Sequence, residues 1–279
     1  MEKQEPPPPI VLDPTLVHEP VTTTRPNQRI DPWWALVAAI VGTIIFLATT
    51  IPDPYRRILV FVQDGIGVSL MVTVVSFVIV LVGGLVGGLG RLSKNWLIHG
   101  IATLYVEIIR GIPALVQLFF WYFSFPSIVQ GLGQVLNIPA LQNYLANPVG
   151  MAILGLSFCY SAYMSEVYRA GIQSIAKGQM EAARSLGMNY VQSMRYVILP
   201  QAVRVILPPV GNEFISLLKD SSLVSVVAVA DLTRRGREFM SSTFTPVETW
   251  TMIALLYLTL TLFSARIVTW IERKTRMER

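Results

Sequence analysis

The chain has 279 residues, of which 53% are hydrophobic and only 14% charged, where a soluble globular domain carries about a quarter charged residues. That balance excludes an ordinary soluble domain, and long uncharged apolar runs point to a membrane protein of all-α class. The net charge of +5 is spread between apolar runs and gives no reason to expect nucleic-acid binding.

Residues 1–32 hold Pro6-Pro7-Pro8-Pro9, several acids and few large apolar groups, a composition that predicts a disordered tail. The first apolar run starts at Trp33 behind an acidic stretch, so no cleavable signal peptide is expected. Six spans are predicted, at 33–50, 66–90, 97–124, 148–168, 201–219 and 248–271.

Span two ends in LVGGLVGGLG. Gly83 with Gly87, and Gly84 with Gly88, form a stripe that lets another helix approach closely. A phosphate-binding loop is the rival reading, and it fails for want of a Gly-Lys-Ser/Thr ending. Any ATP hydrolysis therefore belongs to another chain.

Span three contains EIIRGIPALVQLFFWYF. Glu107 and Arg110 share one side of a helix. An ion pair there is expensive in lipid and must face inward or toward water. It is read as a structural pair fixing helix register, with direct solute contact as the alternative. Gly111 and Pro113 loosen the helix beside it. The stretch 125–147 has no Lys or Arg, as expected of an outer loop.

Span four reads MAILGLSFCYSAYMSEVYRAG. Gly155, Ser157, Ser161 and Ala162 mark either a helix contact or a cavity wall. Cys159, with apolar neighbours and no second cysteine in the chain, reads as a packing residue. Two separated histidines, His18 and His99, make no metal site. Glu166 is placed to neutralise Arg169 across one turn.

After span four comes EAARSLGMNYVQSMRYVILP at 181–200, a polar, basic, helical segment in a chain that otherwise looks like membrane. Something outside the bilayer must touch it. Span five continues as PPVGNEFISLLKDSSLVSVV. Pro208 and Pro209 are expected to break the helix. Glu213 and Asp220 lie two turns apart and so on one face. Two acids on one membrane face need water, a basic partner such as Arg110, or a cationic solute. Lys219 points about 100 degrees away from Asp220 and either pairs elsewhere or snorkels outward.

Glu181-Ala182-Ala183, then Gly187, then Leu199-Pro200 match in order and spacing the EAA loop of ABC-importer permease subunits, with Val197 where the family usually has Ile. RGIPALVQLFFWYF at 110–123, SAYMSEVYRAGIQSI at 161–175 and NEFISLLKDSSL at 212–223 occur in the right order around it. Over about 66–270 the chain resembles the polar-amino-acid permeases of ABC importers, the histidine/glutamine/arginine type.

The resemblance implies a five-helix permease domain at 66–272, preceded here by an extra span at 33–50. It implies a cytoplasmic coupling helix bearing Glu181, Ala182, Ala183 and Gly187. It implies two ABC ATPase subunits below, a second permease subunit, identical or related, beside the chain, and an extracytoplasmic binding protein that delivers the amino acid. Glu213 and Asp220 resemble the acids that contact a cationic side chain, with Ser161 and Gln117 as further candidate contacts. Some glutamine-type relatives carry Gln where this chain has Glu213, so a basic amino acid is the first expectation. No cofactor, metal or nucleic acid is implied.

An ATPase-facing EAA loop places both termini on the cytoplasmic side of a bacterial inner membrane. Arg91 and Lys94, then Arg169, Lys177, Arg184 and Arg195, and finally Arg273, Lys274, Arg276 and Arg279 agree with that topology. Arg56, Arg57, Arg234, Arg235 and Arg237 go against it. The expected mechanism is alternating access without bond chemistry. An ion-coupled secondary transporter is the rival; its broken helices and membrane acids fit, but no internal repeat is visible and the EAA segment would have no purpose. A membrane enzyme is a second rival, but the chain lacks HExxH, a paired-Asp motif and a serine elbow.

Overall fold

The structure is a computed structural model that describes residues 32–275; apart from Pro32, the expected tail at 1–32 lies outside them, as do Arg276 and Arg279. Among the described residues it is helical, without strands. In chain order the helices are α1 (Pro32–Thr50), α2 (Pro52–Leu92), α3 (Trp96–Gly111), α4 (Ala114–Leu136), the single turn α5 (Pro139–Gln142) and α6 (Pro148–Gln173). Then follow α7 (Lys177–Ser185), α8 (Tyr190–Ser193), α9 (Leu199–Asp220), α10 (Leu232–Thr243) and α11 (Pro246–Thr275).

Five helices are long and apolar enough to cross a membrane: Trp33–Thr50, Pro52–Leu92, Ala114–Leu136, Pro148–Gln173 and Pro246–Lys274. The segment expected as a span at 201–219 is helical, within α9, but is not one of these five. Arg204, Glu213, Lys219 and Asp220 make it too polar. The 41 residues of α2 extend roughly 60 Å at 1.5 Å per residue, far beyond a hydrocarbon core of about 30 Å. Its start carries the charges Asp53, Arg56, Arg57 and Asp64, and Asp53 itself is non-helical, with φ −109 and ψ 115.

The run expected as one span at 97–124 is two helices. Pro113 cannot donate a backbone hydrogen bond and pushes the preceding residue out of helical geometry; Ile112 is extended, with φ −106 and ψ 130. The side chain of Gln117 repairs the break by donating to the carbonyls of Ile109 at 2.8 Å and Ile112 at 2.9 Å. Beyond it α4 continues through a π-turn at Phe120–Ser124. The stretch expected as an outer loop from residue 125 is thus helical as far as Leu136.

Pro208 and Pro209 do not break α9, which passes through both. The helical rod that ends in α9 starts earlier, at Tyr190. Asn189 caps it, accepting from the Gln192 amide while the Gln192 side chain accepts from the Asn189 amide. A π-turn at Met194–Ile198 then joins α8 to α9 just before Pro200. The widened turn accommodates a residue with no amide hydrogen. The result is one helical rod from Tyr190 to Asp220.

The tightest contact is between α2 and α6. The glycine stripe meets Ser161, Met164, Ser165 and Tyr168 of α6. Around it Val72, Val80, Leu156, Met164 and Leu217 form the main core. Two buried hydroxyls are satisfied within their own helices, Thr73 on the Ser69 carbonyl and Ser165 on the Ser161 carbonyl, each at 2.7 Å. A second core of Ile58, Val62, Leu232, Phe239, Met252 and Ile253 joins α2 to α10 and α11. The buried Asp231 caps α10 through the amides of Thr233 and Arg234.

Several of the arginines that oppose the charge rule are matched by acids. Arg57 pairs with Asp53 at 3.2 Å, Arg234 with Glu238 at 3.0 Å and Arg235 with Asp64 at 2.5 Å. Arg234 and Arg235 hold the Glu238 carboxyl below its usual range. Helix α1 packs on α2 and α11, and Arg266 lies over the rings of Trp33 and Trp34 at 4.9 and 5.5 Å.

A Cβ added at Gly88 would lie 2.9 Å from the Ser165 carbonyl oxygen, whereas one at Gly100 meets nothing within 4 Å. Gly88→Ala is expected to destabilise the protein by about 1–3 kcal/mol, and Gly100→Ala is expected to leave it unchanged or slightly firmer. Thermal unfolding of the two variants in detergent checks this.

Candidate functional site

Helices α6 and α9 and the start of α4 enclose a cavity of about 330 Å³. From α6 come Cys159, Tyr160 and Tyr163; from α9 come Glu213, Ser216, Lys219 and Asp220; Ala114 opens α4. The seven-residue spacing of Glu213 and Asp220 does bring both carboxylates to one face. Tyr160 donates its hydroxyl to Oδ2 of Asp220 at 2.7 Å. The guanidinium of Arg110 lies over the Tyr163 ring, 5.3 Å from its centre. Lys219 is exposed and also lines the cavity.

The chemistry on offer is charge and hydrogen-bond complementarity. Two carboxylates, one ammonium and three hydroxyls can hold a small polar or cationic solute. Among the described residues no cluster of His, Cys, Asp and Glu could hold a metal ion.

The other two candidate contacts sit elsewhere. Ser161 is buried against Gly83 and lines an apolar groove of about 610 Å³ with Tyr105 and Trp121. Gln117 is buried and engaged with the carbonyls at the α3–α4 break. The expected Glu107–Arg110 pair is not formed. Glu107 instead meets Arg91 at 3.6 Å, and Arg91 meets Glu166 at 2.5 Å. Arg91 is only 13% exposed in its side chain, so its charge is screened less than that of the exposed Arg110. Glu166 also accepts from Nε of Arg169 at 2.9 Å, and Arg169 contacts Gln173. This network joins the ends of α2, α3 and α6 immediately before α7.

In α7, Glu181 and Ala182 are exposed and Ala183 is buried. The helix closes at Gly187, which has φ +83. The Met188 amide bonds to the Ala183 carbonyl at 3.2 Å and the Gly187 amide to the Arg184 carbonyl at 3.0 Å. This is a Schellman closure, which favours glycine at the left-handed position. Asn189 follows at once as the cap of the next rod, so α7 is joined to α8 by a short and fully bonded turn.

Sequence reasoning did not find Tyr160, Lys219 as a cavity residue, or Arg91 as the hub of the inner network. Asn189-x-x-Gln192 was a readable signal for the true helix start. Nothing in local spacing joins Arg91 to Glu166.

The family described as "Binding-protein-dependent transport system inner membrane component" matches residues 79–277. The glutamine transport system permease protein GlnP of Escherichia coli is 35% identical over 214 residues, covering 77% of this chain and 92% of that protein. The arginine transport system permease protein ArgU of Corynebacterium glutamicum is 39% identical over 198 residues, covering 69% and 61%. A crystal structure of an amino acid ABC transporter with histidines contains a similar chain, with TM-score 0.69, 37% identity, and 82% and 98% covered. The fold and cavity are those of a membrane transport subunit rather than an enzyme. The chain belongs to the family of binding-protein-dependent transport system inner membrane components, as a permease of the polar-amino-acid ABC-importer kind.

Gly187→Val puts a branched side chain in a left-handed conformation, at a cost of about 1–2 kcal/mol. Faster amide hydrogen exchange across residues 183–189, with exchange in α6 unchanged, is the expected outcome.

Proposed function

We propose that this chain imports a basic amino acid by alternating access, driven through α7 by ABC ATPase subunits on the cytoplasmic side. The observation that carries the reading is the cavity in which Glu213 and a Tyr160-held Asp220 converge. In a low-dielectric setting two acids on one face need a positive partner. Relatives named for glutamine and arginine, and a solved relative with histidines, support an amino acid as that partner.

In this reading α9 is the sixth membrane crossing, its polar face turned to the cavity rather than to lipid. Both termini are cytoplasmic. A second permease subunit completes the pathway, and an extracytoplasmic binding protein delivers the solute. Helix α7 is the coupling helix. Closure of the ATPases moves it as a rigid body, and its bonded turn passes the movement into the rod from Tyr190 to Asp220. The far end of that rod carries both acids, so movement at the docking surface changes access to the cavity. The inner network of Arg91, Glu107, Glu166 and Arg169 gives α6 a firm end against which α7 acts. Ion-coupled secondary transport leaves α7 without a role.

Two outcomes are expected. Glu181→Lys reverses charge on the exposed face of α7 and abolishes substrate-stimulated ATP hydrolysis while the protein still reaches the membrane; normal stimulation would rule out coupling through α7. Asp220→Asn lowers transport of a basic amino acid by about tenfold or more, the size of one lost charge-assisted contact, and lowers a neutral one much less. Equal losses measured by uptake into proteoliposomes would make Asp220 structural.

A further inference from the structure

We propose that the apolar groove between α2, α3 and α6 holds one acyl chain of an anionic phospholipid of the inner leaflet, with the lipid phosphate at Lys94. This site is separate from the solute cavity. The choice of leaflet, and of lipid over a second subunit, rests on the reading proposed above; the binding itself is tested without it.

The groove has a volume of about 610 Å³. Gly83, Gly87 and Gly90 line it from α2 without side chains. One wall is the stripe Ile98, Ile101, Ala102 and Tyr105 of α3, at helical spacing. Leu154 and Phe158 of α6 form another. Two of its hydroxyls are engaged inside the protein: Tyr105 donates to the Phe158 carbonyl at 2.6 Å and Ser157 to the Ser76 carbonyl at 3.4 Å. What remains suits a hydrocarbon.

The length fits one leaflet. Along α2 the groove runs from Gly90 to Ile79, eleven residues, or roughly 16 Å at 1.5 Å per residue. That is half of a hydrocarbon core about 30 Å thick. On α6, Leu154, Ser157, Phe158 and Ser161 line the groove, while Cys159, Tyr160 and Tyr163 line the solute cavity. At about 100 degrees per residue the two sets point roughly 160 degrees apart. A second subunit that completes the solute path at the cavity therefore leaves the groove to lipid.

One end of the groove carries charge. Gly90 and Ile98 both line it, and the stretch joining them holds Arg91, Lys94 and Trp96. No Asp or Glu occurs between Asp64 and Glu107. Arg91 is taken by Glu166 and Glu107. Lys94 is exposed and forms no ion pair among the described residues. A basic group at the cytoplasmic end of a groove between membrane helices selects an anionic headgroup. The exposed Trp96 is of the residue type that settles at headgroup level.

The test is native mass spectrometry of the purified permease–ATPase complex in detergent, titrated with phosphatidylglycerol or with phosphatidylcholine of the same acyl chains. The wild type is expected to bind phosphatidylglycerol about fivefold more tightly, as one basic residue provides. Lys94→Gln should bring the two affinities together by weakening phosphatidylglycerol alone, and Lys94→Arg should keep them apart. Ile101→Trp on α3 and Leu154→Trp on α6, both at exposed positions, fill the groove and should weaken both lipids together. An unchanged ratio in Lys94→Gln, or unchanged lipid affinity in both tryptophan variants, would overturn the assignment. So would a disulfide between two permease copies through Ile101→Cys in membranes, which would put a second copy in the groove. None of these results depends on whether Glu213 and Asp220 hold the solute.

Discussion

The close approach of α2 and α6 is the constraint on which the other parts depend. Between helices in lipid there is no hydrophobic drive to associate, so contact must come from close packing and satisfied polar groups. The stripe of Gly83, Gly84, Gly87 and Gly88 removes the side chains that would hold the helices apart, and α6 fills the space with Ser161, Met164 and Ser165. With α6 pinned on that side, its other face is committed. Gly155 receives Leu118 and Trp121 of α4, and Cys159, Tyr160 and Tyr163 face the cavity shared with α9.

The same frame explains where charge is tolerated. Arg91 leaves the end of the glycine stripe, half-buried, and gathers Glu166 and Glu107, and Glu166 in turn binds Arg169. Four polar groups of α9, Glu213, Ser216, Lys219 and Asp220, line one cavity. Between these two polar regions lies a mechanical path. A Schellman turn at Gly187 and the Asn189–Gln192 capping box tie α7 to a rod that ends at Asp220. The polar helix α7 and the polar cavity are thereby linked through one short bonded turn and one helical rod.

Much of this was legible in the chain because it depends on local periodicity. Four-residue glycine spacing foretells a helix contact, and seven-residue spacing puts Glu213 and Asp220 together. Where the reading failed, tertiary context outweighed local rule. Pro113 breaks its run because Gln117 is at hand to cap the exposed carbonyls. Pro208 and Pro209, equally suspect by propensity, are carried inside an unbroken α9. Glu107 and Arg110 have the right spacing for a pair, but a more deeply buried guanidinium 16 residues before Glu107 takes the acid instead. Ser161 lies on the helix that lines the cavity but packs against Gly83 of α2, a placement that only the packing of α2 decides.

The central claim is that the polar hook faces the cytoplasm and is gripped there by the ATPase. A single cysteine introduced at position 181, in a chain whose buried Cys159 is replaced by Ser, tests it in intact cells. The account predicts no labelling by a membrane-impermeant maleimide applied from outside, and disulfide cross-linking to a cysteine on the docking face of the ATPase subunit. Labelling from outside, with no cross-link to the ATPase, would contradict it.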